Sequence, residues 1–217
     1  MKNANLLALA GAVAMAAATL TSHASLIEAS PFPIDVTGTG LGAVDTVLTI
    51  TSPANTTSET GSVFAVGAGE GTSGDTIAIN HVRTFSNTAS NLRVVFNPNE
   101  PQNNNDGITL QNLVLTAFDA GGSARFTSGV FTPVGVTAAD AGTGKAGFVF
   151  QLDSAQASQL QTAIDTFGAN RIGLQATGLN ATGGPETFFL TAVPEPGTWA
   201  LLVAGLVGMA GVVRRRV

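Results

Sequence analysis

Apolar and polar positions alternate in short runs along most of the chain, and Gly, Asn, Ser and Pro clusters separate the runs. This is the pattern of half-buried β-strands joined by turns. It predicts strands at Thr46–Thr51, Ser62–Val66, Thr76–Asn80, Leu92–Phe96, Ile108–Phe118, Ala124–Thr127, Gly147–Leu152, Arg171–Ala176 and Glu186–Thr191. Within Ile108–Phe118 the apolar phase moves from Ile108 and Leu110 to Leu113 and Leu115, which predicts a bulge near Gln111 and Asn112. Ser25–Gly42 and Thr51–Gly61 read as loops or arms.

One stretch changes period. Asp153 stands where a helix cap belongs, with Gln156 three residues on in capping-box spacing. Ala157, Leu160, Ile164 and Phe167 then share one face, and Gly168 follows as a C-terminal stop. That face is expected to pack on a sheet. Many short strands with one amphipathic helix predict a mainly β fold, a β-sandwich-like domain with one inserted helix. No internal repeat is visible.

The two ends follow neither period. Met1–Ala24 has Lys2, an apolar run from Leu6 to Leu20, and small residues at Ser22 and Ala24. This is the build of a secretory signal peptide, with cleavage expected between Ala24 and Ser25. At the other end, Trp199–Val213 is an uncharged run of fifteen residues. As a helix it would span roughly 22 Å, short of a hydrocarbon core of about 30 Å, so it can insert only marginally. Arg214, Arg215 and Arg216 follow it and would stay cytoplasmic, while Trp199 suits the opposite interface. The domain between these ends is therefore placed outside the cytoplasm. The division is 1–24 signal peptide, 25–192 β-rich extracellular domain and 193–217 C-terminal signal, with the single transmembrane helix at 199–213.

Just outside that helix stand Val193, Pro194, Glu195 and Pro196. Two prolines fix φ and remove donors, so the peptide is expected to be extended and presented near the membrane. Pro-Glu-Pro, short apolar helix and arginine cluster together resemble the PEP-CTERM sorting signal of Gram-negative bacteria. The resemblance covers Val193–Arg216 and implies recognition and cleavage by an exosortase-type membrane enzyme, with Pro194, Glu195 and Pro196 as recognition residues. It implies transient inner-membrane anchoring followed by release to the cell surface or beyond. Exosortase systems accompany exopolysaccharide and biofilm production, so exopolysaccharide is the partner implied.

Composition narrows the chemistry of the middle. Ser25–Val193 has five basic residues against thirteen acidic ones, a formal charge of −8. Such a surface repels nucleic acid and anionic lipid. There is no cysteine, which excludes disulfides, thiolate catalysis and cysteine-based zinc sites. His81 is the only histidine after the signal peptide, too few for a histidine-rich zinc site, and no G-x-S-x-G elbow accompanies it. Gly69–Gly74 fits G-x-G-x-x-G, but a strand rather than a helix is expected after it, so it reads as a glycine-rich hairpin loop. Gly142-Thr-Gly-Lys-Ala146 lacks the first glycine and the magnesium-binding hydroxyl of a P-loop. Asn55 and Asn180 head short glycosylation sequons that carry little weight.

The polar run Asn97–Gly107 gathers oxygen ligands of the kind calcium prefers, with Glu100 and Asp106 as its charged members. Leu113 stands where an EF-hand needs its last glutamate, so the choice is between an irregular calcium loop and a long polar turn. Otherwise no cofactor is expected. The sequence reads as a non-enzymatic, structural or adhesive envelope protein, with a carbohydrate-binding module, calcium-assisted through Glu100 and Asp106, as the alternative. Sugar platforms usually stack aromatics, and residues 25–192 contain no Trp or Tyr.

Overall fold

The computed structural model describes residues 26–29, 34–35, 46–77, 80–100, 107–136 and 146–193. The chain begins with β1 (Leu26–Glu28), β2 (Ile34–Asp35) and β3 (Thr46–Ile50). A long hairpin follows, β4 (Ser58–Val66) and β5 (Gly69–Gly74), then the short β6 (Arg83–Thr84) and a 3-10 turn at Ala89–Asn91. Next come β7 (Leu92–Asn97), β8 (Ile108–Phe118), β9 (Ala124–Thr127), β10 (Val134–Val136) and β11 (Ala146–Leu152). Helix α1 (Ser154–Phe167) leads to β12 (Arg171–Leu179) and β13 (Glu186–Ala192).

The strands form two sheets in which every pairing is antiparallel. The first runs β1-β11-β7-β13-β3, with β2 also on β11; the second runs β10-β8-β12-β4-β5, with β6 on β12 and β9 on β8. One hydrophobic cluster draws side chains from both, including Leu48, Phe96, Phe150 and Phe188 of the first and Val63, Leu113, Leu115 and Ile172 of the second. Phe96 and Phe188 stack with centroids 4.8 Å apart, and Phe131 meets Phe150 edge-on at 5.5 Å. The mainly β class and the inserted helix are as the sequence predicts.

Helix α1 bridges the sheets, leaving β11 of the first and delivering the chain to β12 of the second. The Asp153 side chain accepts the Gln156 N–H at 2.9 Å, and Gly168 closes the helix at φ +64°, the left-handed conformation that favours glycine. The buried stripe is Gln156, Ala157, Leu160 and Ala163, set against the 3-10 turn, β9 and β11. Phe167 is not part of it: the ring is 51% exposed, with the Arg125 guanidinium 4.7 Å from its centroid. At about 100° per residue position 167 lies only about 20° from Leu160, so it keeps the period of the stripe. As the last residue of α1 it lies past the surface the helix packs on, and the cation–π contact takes the place of core packing.

The predicted bulge is present: Thr177 pairs with Asn112 and Gly178 with Leu110, so Gln111 is the extra residue. Four expectations are corrected. Ser25–Gly42 contains β1 and β2 rather than loops alone, both added to β11. Thr51–Gly61 is not loop to its end, because β4 starts at Ser58. Gly69–Gly74 is not a hairpin loop but the edge strand β5, whose side chains are almost all exposed and so show no apolar alternation. Thr76–Asn80 is not a strand over its described residues. Thr76 makes a single bridge to Ile50, and Asn80 replaces backbone pairing with its side chain, accepting the Thr49 N–H at 2.6 Å and donating to the Thr49 carbonyl at 3.2 Å.

Arg171, at the start of β12, ties down the β4–β5 turn by donating to the carbonyls of Gly67 at 2.7 Å and Gly69 at 2.6 Å. Because Leu160 is fully buried and Phe167 half exposed, Leu160→Ala should cost about 2–5 kcal/mol and Phe167→Ala less than about 1 kcal/mol. Urea unfolding of the two variants checks this; equal losses would put Phe167 in the core.

A buried carboxylate seam as the candidate functional site

Strand alternation puts Glu59 and Glu186 where apolar side chains belong. On β4, Glu59 is in phase with Gly61, Val63 and Ala65, all buried, while Ser58, Thr60, Phe64 and Val66 face outward. On β13, Glu186 is in phase with the core residue Phe188. The two strands belong to opposite sheets, so the two carboxyls approach each other across the seam between them. Glu100, in the segment after β7, joins them. The relative exposures of Glu59, Glu100 and Glu186 are 1%, 1% and 0%.

The three are not equally provided for. The Glu100 carboxylate accepts the Thr182 N–H at 2.9 Å and its hydroxyl at 2.8 Å, which ties the segment after β7 to the β12–β13 connection. Apart from the contact the two make with each other, both carboxyl oxygens of Glu59 and both of Glu186 are buried without a hydrogen bond of good geometry. The Ser52 hydroxyl is buried beside Glu59 as well. Each described arginine is engaged elsewhere: Arg83 on the Thr46 carbonyl, Arg93 on those of Ser90 and Leu92, Arg125 on Asp119, and Arg171 on the β4–β5 turn. Among the described residues no ion pair reaches the seam.

Room for Glu59 is built into the neighbouring strand. Gly178 pairs with Glu59, and a Cβ at position 178 would lie 2.9 Å from Glu59 Oε1 and 3.1 Å from its Cγ. A larger residue at 178 would drive the carboxyl out of its place.

Burial is the main reason the Glu59 carboxyl is raised from 4.5 to about 7. A hydrogen bond shared with Glu186 pulls the other way, and the charge of Glu100, then of Asp75, adds to the rise. Burial, then contact with Glu59 and Glu100, pushes Glu186 higher still. Two carboxyls in such contact can share a proton, but cannot both ionise without a large penalty.

The residues singled out in the sequence fare differently. Glu100 reaches the seam; Asp106 lies outside the described residues. His81 is a surface residue, its Nδ1 2.6 Å from Glu70 Oε1. Asn55 and Asn180 adopt φ of +67° and +63°, so both are turn residues that tolerate the left-handed region. Val193 closes the described chain, its N–H donating to the Asn91 carbonyl at 3.0 Å. Ala24, Ser25, Pro194, Glu195, Pro196, Trp199, Arg214, Arg215, Arg216 and the P-loop-like segment before Ala146 lie outside the described residues. So does the apolar run 199–213, and among the described residues no helix is long and apolar enough to cross a membrane. Glu59 falls in the predicted loop Thr51–Gly61, because β4 is expected to start at Ser62, and Glu186 falls at the first position of a predicted strand, where no facing residue is implied. A charge in phase with buried positions was the available signal.

Comparison with protein families finds one match: residues 192–216 fit the PEP-CTERM protein-sorting motif. That motif is the mark of an exported protein directed to an exosortase-type membrane enzyme. No curated protein and no solved structure matches the chain.

A carboxyl that holds its proton more tightly folded than unfolded adds stability that is full below its unfolded pKa, about 4.3. That stability is lost as pH climbs through the folded value. For Glu59 the loss falls between pH 4.5 and about 7, and for Glu186 it extends above that. With a chelator present, the full-length chain in detergent should therefore melt on the order of 5–10 °C lower at pH 8 than at pH 5. Glu186→Gln should remove most of the difference, since its amide can donate to Glu59. Differential scanning calorimetry decides it, and a wild-type profile no steeper than the variant's would mean that both carboxyls ionise freely.

Proposed function

We propose that the chain is a non-enzymatic protein of a Gram-negative envelope, exported, cleaved by an exosortase-type enzyme and delivered to the cell surface or extracellular matrix. There its β-sandwich domain has a structural or adhesive role, in the exopolysaccharide or biofilm setting that exosortase systems accompany. The observation that carries this reading is the match of residues 192–216 to the sorting motif. In this reading Pro194, Glu195 and Pro196 are read by the processing enzyme, so the protein is its substrate.

The fold supplies a reason for the position of the motif. Strand β13 ends at Ala192, and Val193 is still held by the Asn91 carbonyl. Pro194 follows at once, a residue that cannot donate to a strand ladder. In this reading few residues separate the last strand from the membrane before cleavage. The excess of acidic over basic residues suits a surface protein that avoids nucleic acid.

Mass spectrometry of the protein recovered from its native host tests this. A C-terminus within or beside Val193–Gly197, free or modified, is expected. An intact Arg214–Val217 end in the surface population would make the protein a permanently tethered one.

A further inference from the structure

Carboxylates at inward strand positions are costly unless something answers their charge. In this seam Glu59 and Glu186 come from opposite sheets, and apart from their contact with each other their four oxygens are buried without a well-formed hydrogen bond. The charge of Glu100 adds to theirs, and no basic side chain among the described residues pairs with any of the three. The arrangement is also built, not incidental. Gly178 leaves the space that the Glu59 carboxyl occupies, and Thr182 holds Glu100 with its N–H and hydroxyl. Apolar residues at 59 and 186 would fill the same core more cheaply.

We propose that Glu59 and Glu186 are ligands of a calcium ion bound in the seam between the two sheets, with Glu100 adding the third negative charge around it. The donors are hard oxygens, without the imidazole or thiolate that would favour zinc or copper. Calcium accepts six to eight oxygens in irregular geometry and keeps waters where the protein supplies too few. The Ser52 hydroxyl is a neutral donor at hand. Among the described residues no three acidic or histidine side chains stand ready-spaced as a metal cage. The two carboxyls already in contact would supply the first ligands, and neutral oxygens and water would complete the shell. Magnesium, which demands near-octahedral geometry and sheds water reluctantly, fits this less well. Unlike the loop site expected on Glu100 and Asp106, this site takes its ligands from two strands, so that calcium would clamp one sheet to the other. It is independent of the sorting motif and of the surface role proposed above.

The alternative occupant is a proton, and calcium titration separates the two. The full-length chain in detergent is stripped with EDTA, then titrated with calcium chloride by calorimetry at pH 7 and melted with and without 1 mM free calcium. The expected result is one calcium per chain, a melting temperature raised by about 5 °C or more, and release of protons on binding. In the double variant Glu59→Gln/Glu186→Gln the calcium-dependent rise should vanish. Its melting temperature in EDTA should equal or exceed that of the wild type, because two repelling groups have been replaced by amides that hydrogen-bond.

No calcium response in the wild type would leave the seam to protons and overturn the proposal. So would a response retained in the double variant, which places calcium elsewhere; loss in Asp106→Asn would then locate it on the polar loop. Should the double variant not fold, proton release decides: calcium binding without it means that the ion meets groups already ionised, against the proposal.

Discussion

Two sheets share a single core in this domain, and that constraint governs most of the rest. Each strand that crosses the core must give every second side chain to it, and the opposing sheet must supply the complement. Phe96 against Phe188 and the fully buried Leu48, Leu113 and Leu115 show how this is met over most of the interface. The bulge at Gln111 resets the phase of β8 where it would otherwise turn apolar residues outward. The helix bridging the sheets covers the flank of the core beside the 3-10 turn and β9.

At the carboxylate seam the same constraint yields charge instead of apolar contact. Glu59 and Glu186 occupy inward positions that the pleat assigns to the core, so neither can turn to water without breaking its strand's register. What neutralises them then becomes a matter of binding, by proton or by cation, and the stability of the sheet pair is tied to it. Such a coupling is of use to a protein that leaves the cell, where free calcium and pH differ from those in the cytoplasm.

The chain thus separates into parts with different physics. The sorting motif is a linear pattern that residues 192–216 match by residue order. The domain depends on contacts between residues far apart in sequence, such as Arg171 with the β4–β5 turn and Glu100 with Thr182. The two meet at Val193, the last described residue, whose N–H donates to the Asn91 carbonyl.

Local chemistry was legible wherever it acts over a few residues. The sorting signal, the helix between Asp153 and Gly168, the bulge at Gln111 and most of the longer strands could be read from spacing, because capping, periodicity and apolar phase are short-range properties. Strand β5 could not, since an edge strand exposed on both faces carries no alternation, and the addition of β1 and β2 to β11 depends on a partner more than a hundred residues away in sequence. Phe167 followed the helical period yet lay beyond the surface the helix covers, a limit set by what α1 packs on. The seam is the clearest case of all. Glu59, Glu100 and Glu186 are separate acidic residues in the sequence, and only the pairing of strands in two sheets makes them buried neighbours.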